Sequence, residues 1–223
     1  MYKAEYKTTG SQDMKFIGIT GGVGAGKTAI LSYLEENYNV RTMLADRIAE
    51  ELMEPGGVCY EKLREIFAGD AVFFADGHIY RPAMAAVLFA DPSKRDRVNG
   101  LVHPAVKQYV LEQYRMEKQR GELDFLILEA ALLIEEHYDE ICDELWYIYT
   151  SREVRRKRLM ANRGYSDEKI DRIFASQLSE EEYRRHCAVE IDNSGTTEET
   201  IAQVRRVLEG KGEHADGRCE ECK

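Results

Sequence analysis

The chain is short of several things, and each shortage narrows what it can be. No apolar run approaches 18 residues, so a membrane-spanning helix is not expected. Residues 1–13 lack an apolar stretch, so no secretory signal is expected there. They read as a flexible extension, or as the product of an upstream start codon. Positive charge is scarce: 31 Lys and Arg stand against 41 Asp and Glu, a formal net charge of −10. That balance argues against a nucleic-acid binder. The five cysteines are odd in number and scattered, at Cys59, Cys142, Cys187, Cys219 and Cys222. Cys59, Cys142 and Cys187 fit buried thiols, the odd count fits a reducing compartment, and a cytoplasmic location is expected. In the polar tail 210–223, Cys219 and Cys222 form one C-x-x-C near His214. A closed zinc site needs four ligands, so a flexible tail is expected instead.

Against this background one segment stands out. Gly21, Gly22, Val23, Gly24, Ala25, Gly26, Lys27 and Thr28 match G-x-x-x-x-G-K-[ST] in full. An apolar run (Phe16, Ile17, Ile19) precedes them, and a helix-like pattern starting at Ala29 follows. This strand–loop–helix setting is that of a phosphate-binding P-loop. Glycines let main-chain N–H groups close around phosphate oxygens, and the helix start adds further donors. Lys27 should reach the β- and γ-phosphates, and the Thr28 hydroxyl should hold a Mg²⁺ ion. The stretch Gly21–Ala29 is therefore the expected nucleoside triphosphate segment.

Five apolar runs read as strands: 15–20, 41–45, 124–129, 144–150 and 187–192. Helical patterns separate them, which predicts an α/β P-loop NTPase fold with a five-stranded parallel sheet flanked by helices. The first helix should cover 26–37. Between the second and third strands lie about 75 residues, far beyond an ordinary crossover. The part 58–121 reads as a helical insertion for a substrate. Within it Asp76-Gly77-His78 is a turn, Asp91-Pro92 starts a helix, and a separate longer helix follows His103-Pro104 and ends at Gly121. Ser166 should cap one late helix and Ser179 with Glu182 should form a capping box on another. The last helix should run from Thr197 to Leu208.

Base-recognition Asn-Lys-x-Asp and transporter Leu-Ser-Gly-Gly-Gln motifs are both absent. That turns the reading from switches and transporters toward a small-molecule kinase. The missing positive charge is concentrated instead of spread: six of the twelve residues 152–163 are Lys or Arg. These cannot all face one way on a helix. Asp46 follows the second strand, at the sheet edge where such folds bind ligands. Its carboxylate could take a hydroxyl proton or orient that hydroxyl, or it could simply cap a helix from Arg47. Glu129, ending the third strand, could hold Mg²⁺ through water or face solvent.

The chain resembles the dephospho-coenzyme A kinases from Phe16 to Leu208. The marks are the P-loop, Ala45-Asp46, Asp76-Gly77 with Arg81, and His103-Pro104. They continue with Leu132-Leu133-Ile134-Glu135, Arg158-Leu159, Arg172-Ile173 with Gln177, and Asn193-Ser194-Gly195. The resemblance implies transfer of the γ-phosphoryl group of ATP to the ribose 3′-hydroxyl of dephospho-coenzyme A. It implies a core formed by 14–57, 122–150 and 187–209, a coenzyme A-binding insertion over 58–121, and a helical lid over 151–186. It further implies Asp46 as catalytic base, Arg158 on phosphate, Asn193 near the adenine, and Arg81 and His103 on the acceptor side. No membrane or nucleic-acid partner is implied. The chain departs from the family pattern at Leu44, where Asp is usual, and at Ala131, where Pro is usual. It departs again at Asn162, where a second lid Arg is usual, and at Cys187-Ala188. None of these touches the P-loop or Asp46. Another nucleoside or nucleotide kinase, or a regulatory nucleotide switch, is the alternative.

Overall fold

The computed structural model describes residues 14–210. The expectations for 1–13 and for Cys219 and Cys222 lie outside the described residues. Five strands form one sheet: β1 Lys15–Thr20, β2 Val40–Leu44, β3 Phe125–Glu129, β4 Glu144–Tyr149 and β5 Val189–Asp192. Their order is β2-β3-β1-β4-β5. The strands in the middle of that order, β1, β3 and β4, are almost wholly buried. Continuous apolar runs are what a parallel sheet covered on both faces requires. The outer strands β2 and β5 are only partly buried and carry Arg41 and Glu190. Each of the five expected strands is present, with ends shifted by up to two residues.

The described chain separates into two compact units, residues 14–20 with 34–144, and residues 21–33 with 145–210. In the first unit β1 and β2 both pair in parallel with β3. Ile19 and Leu44 each stand opposite Glu129, so the three strands end level. Four helices accompany them: α2 Ala45–Met53, α3 Tyr60–Ile66, α4 Arg81–Ala90 and α5 Pro92–Arg120. All of α2, α3 and α4 pack on α5. The expected turn is real: Phe73 and Ile79 bridge antiparallel around Asp76-Gly77, and the Asp76 carboxylate accepts from the His78 N–H.

The helix predicted after Pro104 is not separate. One 29-residue helix, α5, runs from the Asp91 cap to left-handed Gly121, with Pro104 inside it. A mid-helix proline costs about 3 kcal/mol. Val98, Val102, Val106 and Val110 form one buried stripe at a four-residue repeat that passes straight through this point. Burying a valine contributes about 1.5–3 kcal/mol, so four outweigh the proline. Pro104 itself is exposed, so its ring takes no place in that buried stripe.

The second unit carries β4 paired in parallel with β5. Its helices are the start of α1 (Lys27–Asn37), α6 Arg152–Arg163, α7 Asp167–Ala175, α8 Glu180–His186 and α9 Thr197–Leu208. Ser151, Ser166, Ser179 and Thr196 accept from the third N–H of α6, α7, α8 and α9. The reciprocal capping box is found at Thr196–Glu199, whereas at Ser179 the serine half is what forms. Leu159, Ile170 and Phe174 make a small core between α6 and α7, and Val23 of the P-loop packs against it.

Candidate active site

The P-loop, Gly21–Thr28, opens the second unit and runs directly into α1. In the second unit its outward carbonyls are held one by one. The Thr150 hydroxyl donates to Ala25 O at 2.9 Å, and Asn193 Nδ2 donates to the same oxygen at 2.7 Å. Arg158 donates through Nη1 to Ala25 O at 3.4 Å and through Nη2 to Asn193 O at 2.9 Å. Arg155 Nε donates to Val23 O at 2.9 Å. These bonds fix the backbone of the loop from outside. Lys27, the first residue of α1, swings back so that its ammonium reaches Gly21 O at 2.8 Å. The cation thus spans the loop from end to start. Thr28 is exposed in the first helical turn, and its hydroxyl has no partner among the described residues.

Gly26 shows how tightly this frame is drawn. Its φ is +86°, and a β-carbon there would stand 2.3 Å from Asn193 Nδ2. Gly26→Ala therefore strains the backbone and pushes Asn193 off Ala25. Such strain costs about 1–3 kcal/mol, and a loop that moves to relieve it binds nucleotide about tenfold more weakly. Calorimetric titration with a non-hydrolysable ATP analogue reads this directly.

Two of the residues singled out from the sequence, Arg158 and Asn193, thus lie on the loop's frame. Two others in that frame, Thr150 and Arg155, were not singled out. Arg155 could have been found: Leu159 is the fully buried apolar residue of α6, and Arg155 sits one turn before it on the same face. The rest of the basic run is divided. Arg156 is paired with Asp167 and Asp171, and Lys157 with Glu153 at 2.6 Å.

In the first unit a cavity of about 320 Å³ opens beyond the end of β2. Met53, Met84, Val98, Val102 and Val106 give it apolar walls, and Asp46, Asn99, His103, Glu136 and Tyr138 supply polar groups. Asp46 is exposed at the second position of α2. It does not cap that helix, because α2 begins at Ala45 and the cap position falls to Leu44, which has no side-chain oxygen. His103 Nδ1 lies 2.7 Å from Glu136 Oε1. Lys107 fixes the segment carrying Glu136 by donating to Glu136 O at 2.8 Å and His137 O at 3.3 Å. Glu136 was not anticipated, since 33 residues separate it from His103. Burial pushes the Tyr138 hydroxyl up to about 12, so it stays a protonated donor. Arg81 is not in the wall. It donates to Glu54 Oε1 at 3.1 Å, in a cluster with His78 at the base of α4. Burial pushes the Glu54 carboxyl up, but bonds from His78, the Ile79 N–H and Arg81 outweigh it and hold the group below its usual value. Among the described residues no cluster of three or more His, Cys, Asp or Glu could hold a resident metal. The described cysteines are free thiols, and burial raises those of Cys142 and Cys187 to about 12.

The two units therefore carry different groups: the second a P-loop held by a frame of side chains, the first a carboxylate lining an apolar cavity. Comparison with known proteins gives that pairing a family. The chain is 35% identical over 195 residues to a dephospho-CoA kinase of Oceanobacillus iheyensis, covering 86% of this chain and 96% of that one. It is 33% identical over 195 residues to one of Geobacter sulfurreducens, covering 87% and 97%. A crystal structure from Thermus thermophilus superposes with a TM-score of 0.74 at 27% identity, over 90% of this chain and 98% of that one. A Campylobacter jejuni dephospho-CoA kinase shares the fold, with a TM-score of 0.66 at 19% identity, over 88% and 98%. The family model described as dephospho-CoA kinase matches residues 15–199, from the first residue of β1 into the first turn of α9. Since that span takes in the P-loop, its frame and the cavity at Asp46 alike, the chain belongs to the dephospho-CoA kinase family.

Proposed function

We propose that this chain phosphorylates the ribose 3′-hydroxyl of dephospho-coenzyme A with ATP, giving coenzyme A and ADP, the last step of coenzyme A synthesis. The observation that carries the reading is Asp46 at the mouth of an apolar cavity, in a chain that the family model matches through P-loop and cavity together. The apolar walls suit the base or the pantetheine arm of the acceptor, and the carboxylate suits its hydroxyl.

In this reading the N–H groups of Gly21–Ala29 and the Lys27 ammonium bind the triphosphate. Thr28, exposed and unpartnered, would hold Mg²⁺ together with phosphate oxygens, and that ion would neutralise developing charge. The 3′-oxygen attacks the γ-phosphorus in line; its bond to phosphorus forms as the bond to the bridging oxygen of ADP breaks. Asp46 orients the hydroxyl and accepts its proton. Arg158 approaches the transferring group from the lid, 151–186, which on closing would exclude water as a competing acceptor. The insertion 58–121 receives the coenzyme A part, with His103 on the acceptor and Arg81 holding the base of α4. Asn193 places the loop near the adenine. Residues 14–57, 122–150 and 187–209 serve as the nucleotide core. No helix among the described residues is long and apolar enough to cross a membrane, and the net charge of −10 disfavours nucleic acid. On its family we assign the chain a cytoplasmic metabolic role.

Mass spectrometry of the products from ATP, Mg²⁺ and a panel of acceptors tests this. Dephospho-coenzyme A should gain one phosphoryl group while nucleosides and nucleoside monophosphates stay unmodified. Phosphorylation of a nucleoside with dephospho-coenzyme A left intact would overturn the reading.

A further inference from the structure

Arg155 is the one charged residue of α6 that is buried, with 9% of its surface exposed. No carboxylate lies within ion-pair distance of it among the described residues. Removing a guanidinium from water without a counter-ion is costly, and burial accordingly holds its pKa below the usual arginine value. Its surroundings account for where the charge is placed. Nε donates to Val23 O of the P-loop, and Nη2 donates to Gln177 Oε1 in the turn between α7 and α8. The guanidinium carbon lies 4.5 Å from the centre of the Phe174 ring of α7. Its flat face lies against Gly22, where a β-carbon would approach Nη2 to 2.3 Å. One planar group is therefore shared by the loop, by α7 and by the turn that follows α7.

We propose that Arg155 is a positioning residue for phosphoryl transfer, fixing the Gly22–Val23 stretch of the P-loop and linking its conformation to α7 and Gln177. Only a fork with divergent donors can bond Val23 and Gln177 together while lying flat on Gly22 and Phe174; a lysine ammonium has one centre and no plane. The unpaired charge adds a second effect. It raises the positive potential at the loop where the triphosphate sits, in a setting that water screens poorly. When α7 and α8 move, Phe174 and Gln177 carry Arg155 with them, and the loop loses its brace at Val23. Nucleotide affinity thus depends on the position of helices outside the loop. The inference rests on the nucleotide reading of the loop and not on the identity of the acceptor.

The full-length chain with Arg155→Met keeps the length of the side chain and removes its charge and donors. Three quantities are measured: the Kd of ATP by calorimetry, the KM of each substrate, and the melting temperature with and without ATP. The ATP Kd and KM should rise about tenfold, the size of one charge-assisted hydrogen bond. The KM of dephospho-coenzyme A should stay within about twofold, and the ATP-induced rise in melting temperature should shrink. Arg155→Lys, which preserves the charge but not the fork, should fall between the two; it also gives a folded comparison should the methionine variant fail to fold. Wild-type ATP affinity in either folded variant overturns the proposal. So does an equal loss in both KM values alongside a lower melting temperature without nucleotide, the mark of a merely structural role. Wild-type protein that fails to bind ATP would instead overturn the nucleotide reading itself.

Discussion

Lys27→Ala should reduce phosphoryl transfer by about a thousandfold or more, the upper range for losing one transition-state charge contact. The argument begins with the helix. Lys27 opens α1, and alanine is the best helix former, so the substitution leaves the backbone of that turn intact. What disappears is the ammonium that reaches Gly21 O at 2.8 Å across the loop. A phosphate in the loop would meet that cation at short range, in a site partly shielded from water where each charge counts for more than in bulk. The negative charge on the γ-phosphoryl oxygens and the ADP oxygens shifts during transfer, and no other residue of the loop carries a full charge to follow it. Lys27→Arg is the informative companion. It keeps the charge but brings a longer, planar head into a loop mouth fitted to one ammonium, and it should recover little of the rate. Turnover is read as phosphorylated acceptor by mass spectrometry, with circular dichroism to establish that the fold persists. A folded Lys27→Ala variant with near-normal turnover would mean that the loop is not a catalytic phosphate site.

How much of this could be read in the sequence follows from how local each feature is. The strands β1, β3 and β4 are continuous apolar runs bounded by polar residues, and they were legible to within a residue. Edge strands were less so: Arg41 and Glu190 dilute the signal in β2 and β5, so both ends of β2 shifted by one residue and the start of β5 by two. The P-loop is a contiguous motif, so its place needed nothing else. Pro104 misled because a proline usually marks a boundary; the valine stripe that overrides it acts through packing against α2, α3 and α4, which no short window contains. Asp46 could be placed after β2 but not told from a helix cap, because one residue decides whether α2 begins at Ala45 or later. The frame of the loop was the hidden part. Thr150, Arg155, Arg158 and Asn193 come from three separate stretches of the chain; Leu159 marks the buried face of α6 on which Arg155 lies, but that this face meets Val23 is set by the fold. The cavity was hidden for the same reason, since α2, α4, α5 and the segment after β3 each supply part of its wall.

Asp46→Asn should lower kcat by about 100-fold or more while the KM of ATP is kept, the range expected when a general base is removed. Asn is nearly the same size and keeps one acceptor oxygen, so it can still receive a hydrogen bond from the 3′-hydroxyl. It cannot take the proton. Asp46→Ala loses both functions. The pair of variants therefore separates proton transfer from orientation. A large loss in both assigns the proton to Asp46. A small loss with Asn and a large one with Ala assigns orientation alone, which suits a loose transition state in which little charge builds on the attacking oxygen before bond formation. A third result would remove Asp46 from the chemistry: near-normal turnover in both. Its carboxylate would then matter through its place in the first turn of α2, where a negative charge favours the helix dipole by about 0.3–1 kcal/mol. That contribution would show as a slightly lower melting temperature with turnover untouched. The catalytic reading predicts the reverse ranking, with kcat falling steeply and stability changing little, because Asp46 is exposed and makes no capping bond whose loss would loosen the helix.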